Sequence, residues 1–273
     1  MSTLITGVIH GKGGVAKSTS TCNIAAAVAM HGKKVLLIDL DPQGTCTMNL
    51  GMEELAVSQN IDLDDHSAYR MFSDRLPPSE LALKTPFKNL DIIPAGLHLM
   101  KLEQEIPAIP NGDTLLNRVL KNDDALKYDF IICDSPGFLG HIVASIINAS
   151  GDLLVPDLAS ASSTRGLVEV FKTIAHVNEF RATYNMGPIE LRGHFFCCAE
   201  PNTLIHDEQE NEVIGLLDSI GYPGSHKPNL FISKSTKVPQ SESMRQPLVL
   251  WQPEHKVSQQ YQALVEDLFK ELF

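Results

Sequence analysis

Gly11-Lys12-Gly13-Gly14-Val15-Ala16-Lys17-Ser18-Thr19 is the stretch on which the reading of this chain turns. The apolar run Leu4-Ile5-Thr6-Gly7-Val8-Ile9 precedes it and reads as a buried strand. A helix is expected after it, from about Ser18 to His31, ended by Gly32 because glycine accepts the left-handed conformation that closes helices. Strand, glycine-rich turn, Lys-Ser and helix, in that order, are the context of a phosphate loop. Glycines let backbone N–H groups turn toward phosphate oxygens with no Cβ in the way, and the opening helix aims its positive end at the same anion. Lys17 is then placed to reach the β- and γ-phosphates of a nucleotide, and the Ser18 hydroxyl to ligate Mg²⁺. Two features depart from the standard loop: the glycine expected before the lysine is Ala16, and a second lysine, Lys12, stands near the start.

Two acidic segments follow. In Ile38-Asp39-Leu40-Asp41-Pro42-Gln43-Gly44, two carboxylates stand at the carboxyl end of an apolar strand, where open α/β sheets bind ligands. Alternate residues of a strand share a face, so Asp39 and Asp41 are expected to point at one site. Ile131-Ile132-Cys133-Asp134-Ser135-Pro136-Gly137 is an apolar strand ending in Asp134, the arrangement that holds a Mg²⁺ shell. Ser135, Pro136 and Gly137 are then expected, with Asp134, to form a switch loop that senses the γ-phosphate.

These segments together resemble the ParA/MinD family of deviant Walker-A ATPases, most closely the ParA branch concerned with plasmid and chromosome partition. The pattern there is roughly K-G-G-x-x-K-[ST], with alanine tolerated before the second lysine. The resemblance covers most of the chain and is strong through about Gly51 and around Asp134; Gly137 stands where the family more often has a second proline. It implies ATP and Mg²⁺ as cofactors, and Lys12 as a signature lysine that reaches across a homodimer to the partner's ATP. It further implies a water-mediated Mg²⁺ contact for Asp39, positioning of the attacking water by Asp41, and a ParB-like or other adaptor that stimulates hydrolysis. Lys12, Lys17 and Asp41 are thus the expected catalytic group, residues 11–19 the ATP-binding loop, and Ser18, Asp39 and Asp134 the metal group.

Composition sets the frame. The chain has 273 residues, 43% of them hydrophobic, with ordinary Gly and Pro content, which fits a globular α/β protein with a core. Apolar runs at residues 35–38, 90–94, 129–133, 152–156, 191–198 and 229–232 read as strands, the last of them short. Helical patterns fall at 114–120, 164–180, 207–220 and 257–272, with a weak one at 68–72 inside a polar stretch from Asn60 to Thr85. Alternating strands and helices predict a largely parallel twisted sheet with helices on both faces. No linker or repeat interrupts the chain, so residues 1–273 read as one domain. Five cysteines without CxxC spacing argue against a zinc or iron–sulfur site and read as free core thiols of a cytoplasmic protein. No apolar stretch approaches the roughly 20 residues of a membrane-spanning helix.

Three readings of what the ATPase acts on differ in their sequence marks. Lys227, Lys234, Lys237 and Arg245 lie where the ParA branch carries basic residues that touch DNA without sequence preference. That expectation places the ATP-bound dimer on the nucleoid, although a net charge of −11 counts against it. A MinD-like membrane role would need a basic amphipathic closing helix. Here Val257, Tyr261, Leu264, Val265, Leu268 and Leu272 form the apolar stripe, but Glu266, Asp267 and Glu271 make its polar side acidic, so it is expected to pack on the core. A metal-cluster scaffold would need spaced cysteines, and Cys197-Cys198 are adjacent. The acids Asp207, Glu208, Glu210 and Glu212 open the helix at 207–220, where they complement its dipole.

Overall fold

The structure, a computed structural model, describes residues 3–123, 126–160, 163–201 and 203–273. Seven strands form one sheet: β1 (Leu4–Val8), β2 (Val35–Asp39), β3 (Leu83–Lys84), β4 (Leu90–Ile93), β5 (Phe130–Asp134), β6 (Asp152–Leu158) and β7 (Glu190–Cys197). Their order is β3-β4-β2-β5-β1-β6-β7, and every pairing is parallel except the short antiparallel edge β3–β4. The apolar runs are continuous because both faces are covered. Along β5, Ile131 and Cys133 join one core layer with Ile142, Ile146 and Phe171, whereas Phe130 and Ile132 join the other with Ile24, Tyr261 and Phe269. The helices Lys17–Met30 and Lys256–Leu268 cover the second face; His141–Ala149 and Ser163–Thr183 cover the first.

Register puts the chemistry at one edge. Asp39, the last residue of β2, pairs with Asp134, the last of β5, and Val8 at the end of β1 pairs with the same Asp134. Three strands therefore deliver the phosphate loop and both carboxylates to the same point of the sheet's carboxyl edge.

Three features differ from the sequence reading. Residues 229–232 are not a ladder strand: the segment runs beside β7 and touches it through isolated bridges at His194–His226 and Ala199–Ser233. Pro228, without an N–H, interrupts the path, so Lys227 N–H donates to His194 O and Ile232 N–H to Phe196 O as separate contacts. The helix His141–Ala149 was not expected, since Ile142, Val143, Ile146 and Ile147 read equally as strand. The polar stretch at 60–85 carries its expected short helix, at Tyr69–Ser73, and adds two unexpected pieces, Pro78–Leu81 and the edge strand β3.

Candidate active site

The helix Lys17–Met30 begins directly after Ala16, which sits in the left-handed region at φ 63°. A glycine would reach that turn without strain; the alanine accepts a cost of about 1–2 kcal/mol that the surrounding loop must hold. Gly14 takes φ 79° in the same turn. A Cβ on Gly11 would stand 2.9 Å from Leu139 Cδ1, so the loop packs closely on that side chain. The loop encloses Lys17, 6% exposed, whose ammonium donates to the Lys12 carbonyl at 3.2 Å. Burial lowers the Lys17 pKa, and the charges of Asp134 and Asp41 act against that shift.

Asp134 is fully buried and accepts from Ser18 Oγ at 2.6 Å and from Thr21 Oγ1 at 2.8 Å. Asp39, also fully buried, accepts on Oδ2 from the Thr47 N–H and hydroxyl at 2.8 and 2.7 Å. Asp41 caps its own turn by accepting from Gln43 N–H at 2.9 Å, and it lines the cleft. Burial, and the charge of neighbouring carboxylates, push both Asp39 and Asp134 above the usual carboxylate range.

The residues fit a hard divalent cation. Ligand atoms of Asp39, Asp134 and Cys46 lie within 4.8 Å of one another. Burial pushes the Cys46 thiol up, and its proton is donated to Ser18 O, so oxygen donors are what the site offers. Two buried carboxylates beside one serine hydroxyl suit Mg²⁺, which binds through one or two carboxylates, water and nucleotide phosphates. Among the described residues Lys17 is the cation whose charge acts on Asp134, and a bound Mg²⁺ would add the positive charge that two buried carboxylates need.

A cleft of about 700 Å³ opens over this edge, the size of a small-molecule site. Gly13, Gly14, Ala16, Lys17, Ser18 and Thr19 line it together with Asp41, Pro42, Gln43, Gly137 and Phe138. The sequence-predicted phosphate loop, Asp41 and the switch residue Gly137 therefore meet, with Asp39 and Asp134 beneath them. Lys12 does not line the cleft. A Cβ on Gly137 would lie 3.4 Å from Gly13 Cα, so the segment after Asp134 rests on the glycine-rich loop. Sequence reasoning missed Gln43, Thr45, Met100, Glu103 and Phe138. Glu103 accepts from the His141 and Ile142 N–H groups at 2.8 and 3.0 Å, closing the start of the helix His141–Ala149 from a distant segment. No local pattern signals such a cap.

The basic residues at 227–245 do not form a bare positive surface. Lys234 pairs with Glu200 at 2.8 Å and Arg245 with Glu54 at 3.0 Å, while Lys237 lies 5.7 Å above the Trp251 ring. Lys227 is half-buried. The segment Lys237–Ser243 is a helix tied to the phosphate-loop helix by Thr19 Oγ1 donating to Glu242 at 2.6 Å. The apolar stripe of the closing helix is buried at Val257, Tyr261, Leu264, Val265 and Leu268. Among the described residues no helix is long and apolar enough to cross a membrane. Cys197 is buried and Cys198 exposed, so the two thiols do not share a site.

Comparison with known proteins agrees with this geometry. The AAA domain family model matches residues 3–186. The chain is 27% identical to the sporulation initiation inhibitor protein Soj of Bacillus subtilis over 266 residues, covering 97% of both chains. Its fold is similar to a Borrelia burgdorferi protein ascribed to plasmid partition and solved with AMPPNP, at TM-score 0.77, 21% identity and full coverage of both. It is also similar to cobyrinic acid a,c-diamide synthase of Mycobacterium smegmatis with ADP and magnesium, at TM-score 0.76 and 24% identity, over 99% of this chain and 95% of that one. The latter pair shows the fold alone, and two such different activities on it mean that function must be argued from the site. With a phosphate loop that carries alanine for glycine and a second lysine, and a family match over most of its length, the chain belongs to the AAA-domain family and, within it, to the ParA/MinD-type P-loop ATPases.

Proposed function

We propose that this chain hydrolyses ATP with Mg²⁺ and uses the cycle to position or partition a cargo. The observation that carries the reading is the gathering of Lys17, Ser18, Asp39, Asp41 and Asp134 at one 700 Å³ cleft beside a switch loop. Lys17 holds the β- and γ-phosphates, with the N–H groups of residues 13–19 cradling them. Ser18 and Asp134 hold the Mg²⁺ shell, with Asp39 behind it. A Mg²⁺ held there would neutralise charge developing on the transferred phosphoryl group. Asp41 orients the attacking water, and residues 134–137 carry the state of the γ-phosphate outward. Lys12, lying outside the cleft of its own chain, is the residue offered in trans when two copies enclose ATP between them.

The cargo reading follows the relatives. Soj and the partition proteins support a role in moving DNA, or a protein assembly that uses DNA as its track, with an adaptor that stimulates hydrolysis. Non-specific DNA binding by the ATP-bound dimer is the step that links the cycle to a track. Its contacts are assigned to Lys227, Lys234, Lys237 and Arg245, two of which must leave a carboxylate partner to reach a phosphate. The decisive experiment is binding to random-sequence duplex DNA with ATP, with ADP and without nucleotide, across a salt series. Binding confined to the ATP state and weakening steeply with salt supports the reading. An ATP dimer that forms normally and ignores DNA in every condition sinks it and leaves a protein track.

A further inference from the structure

Beside the phosphate loop lies a second buried polar cluster that the nucleotide chemistry does not use. His10, Asp157 and His194 are fully buried and His226 is 6% exposed. His10 Nδ1 accepts the Lys12 N–H at 3.0 Å, which puts the ring's proton on Nε2. That nitrogen stands 3.2 Å from Asp157 Oδ1, and Leu158 N–H donates to the same oxygen at 2.7 Å. Asp157 Oδ2 lies 3.6 Å from His194 Nε2. His194 Nδ1 meets His226 Nδ1 at 2.9 Å, and His226 Nε2 meets Glu210 Oε1 at 3.1 Å. Gly166 closes over the ring, since a Cβ there would meet His10 Cε1 at 2.9 Å.

The contacts constrain the protons. One proton must lie between His194 and His226 and one between His226 and Glu210. Burial, then the charge of His194, lowers the pKa of His226. Burial alone would push Asp157 up; His10 and His194 outweigh it and hold the carboxyl below its usual range. Asp157 is thus a fixed anion, and a fixed anion selects the Nε2–H tautomer of His10. That tautomer leaves Nδ1 free to accept from Lys12, and the carbonyl of the same Lys12 holds the Lys17 ammonium at 3.2 Å.

We propose that Asp157 and His10 are positioning residues of the nucleotide site: the carboxylate orients the imidazole, the imidazole holds the Lys12 amide, and the Lys12 carbonyl holds Lys17 in place to meet phosphate. The proposal rests on the ATP-site reading above and adds two residues that touch no ligand. It separates two kinds of change at one position. Asparagine at position 10 can place an amide oxygen where Nδ1 stands and needs no tautomer to be chosen. Glutamine reaches instead toward Asp157 and leaves the Lys12 amide without its acceptor.

The test is the affinity of the full-length protein for a fluorescent ATP analogue with Mg²⁺, with the melting temperature of each variant recorded beside it. His10→Ala and His10→Gln should each weaken binding about tenfold, and His10→Asn should recover most of that loss. Glutamine serves if the alanine variant does not fold. Asp157→Asn should weaken binding in the wild-type background and add little in the His10→Asn background, because it acts only through the ring's tautomer. Equal affinities for the asparagine and glutamine variants, or an Asp157→Asn effect of the same size in both backgrounds, overturns the proposal. Lys17→Ala separates the failures. Retained affinity there sinks the ATP-site reading and this proposal together, whereas lost affinity there with no His10 effect overturns the positioning role alone.

Discussion

Buried carboxylates stand at the carboxyl ends of two neighbouring strand pairs, β2–β5 and β6–β7, and the two ends are built oppositely. At β2 and β5, Asp39 and Asp134 face each other at full burial and are pushed toward the neutral form. At β6 and β7, Asp157 is equally buried but lies between His10 and His194 and is held ionised. A buried charge must be paired or it neutralises. The second cluster is paired inside the chain and behaves as scaffold. The first is paired only in part, by hydroxyls and by Lys17, and the positive charge it lacks is what a bound divalent cation would supply. Incomplete compensation, rather than burial as such, marks the ligand site.

That contrast can be broken by single substitutions. Lys17→Ala should lower ATP affinity by about a thousandfold, because a desolvated cation and its charge-assisted bonds to phosphate are lost together. Equilibrium binding of a labelled nucleotide measures it, and affinity within a factor of a few of wild type would remove the phosphate-loop assignment. Asp157→Asn should cost about 3 kcal/mol of folding stability, the size expected when one partner of a buried pair is removed. Urea unfolding of the nucleotide-free protein reads this, and a change under about 0.5 kcal/mol would mean the second cluster is not the balanced pair described.

Asp41→Ala should leave nucleotide binding near wild type and reduce turnover about a hundredfold, the scale of a lost group that orients or deprotonates water. Phosphate release under saturating ATP measures it, and wild-type turnover takes Asp41 out of the chemistry. The smallest effect concerns pH. In the unfolded chain both cleft carboxyls ionise near pH 4; in the nucleotide-free fold they keep their protons to higher pH. Over that window the folded state binds more protons, so these groups make stability fall as pH rises from about 4 to about 7. Asp157 acts in the other direction, since its depressed pKa gives stability that is present above about pH 4 and is lost on acidification. His226, with its own depressed pKa, gains stability as pH rises toward its ordinary value, so the measurable signature is a difference between variants. Asp39→Asn should be about 1 kcal/mol more stable than wild type at neutral pH without nucleotide, and the gap should close toward pH 4 and in saturating Mg²⁺-ATP. A gap that does not move with pH would show that Asp39 carries no strained charge.

Much of the nucleotide site was legible because its parts are local. Residues 11–19 lie in one turn, and Asp39 and Asp134 each close an apolar run, so strand periodicity alone puts them at a carboxyl edge. The departure at Ala16 was equally visible, although its left-handed φ of 63° was not. The helix His141–Ala149 was hidden by its β-branched residues, and its start is closed by Glu103 from another segment. The basic residues at 227–245 read as a patch in one dimension, whereas in the fold Glu200 and Glu54 come from elsewhere to meet two of them.

What the sequence determined by itself is therefore whatever a short stretch of backbone can state: the phosphate loop, the alternation of strands and helices, and acids at strand ends. Only the tertiary structure decided which charges are compensated. His10, Asp157, His194, Glu210 and His226 are scattered over more than two hundred positions and carry no common pattern, yet they form one chain of contacts against the phosphate loop. Compensation depends on distance in space and on the removal of water, and both are set by which strands lie side by side.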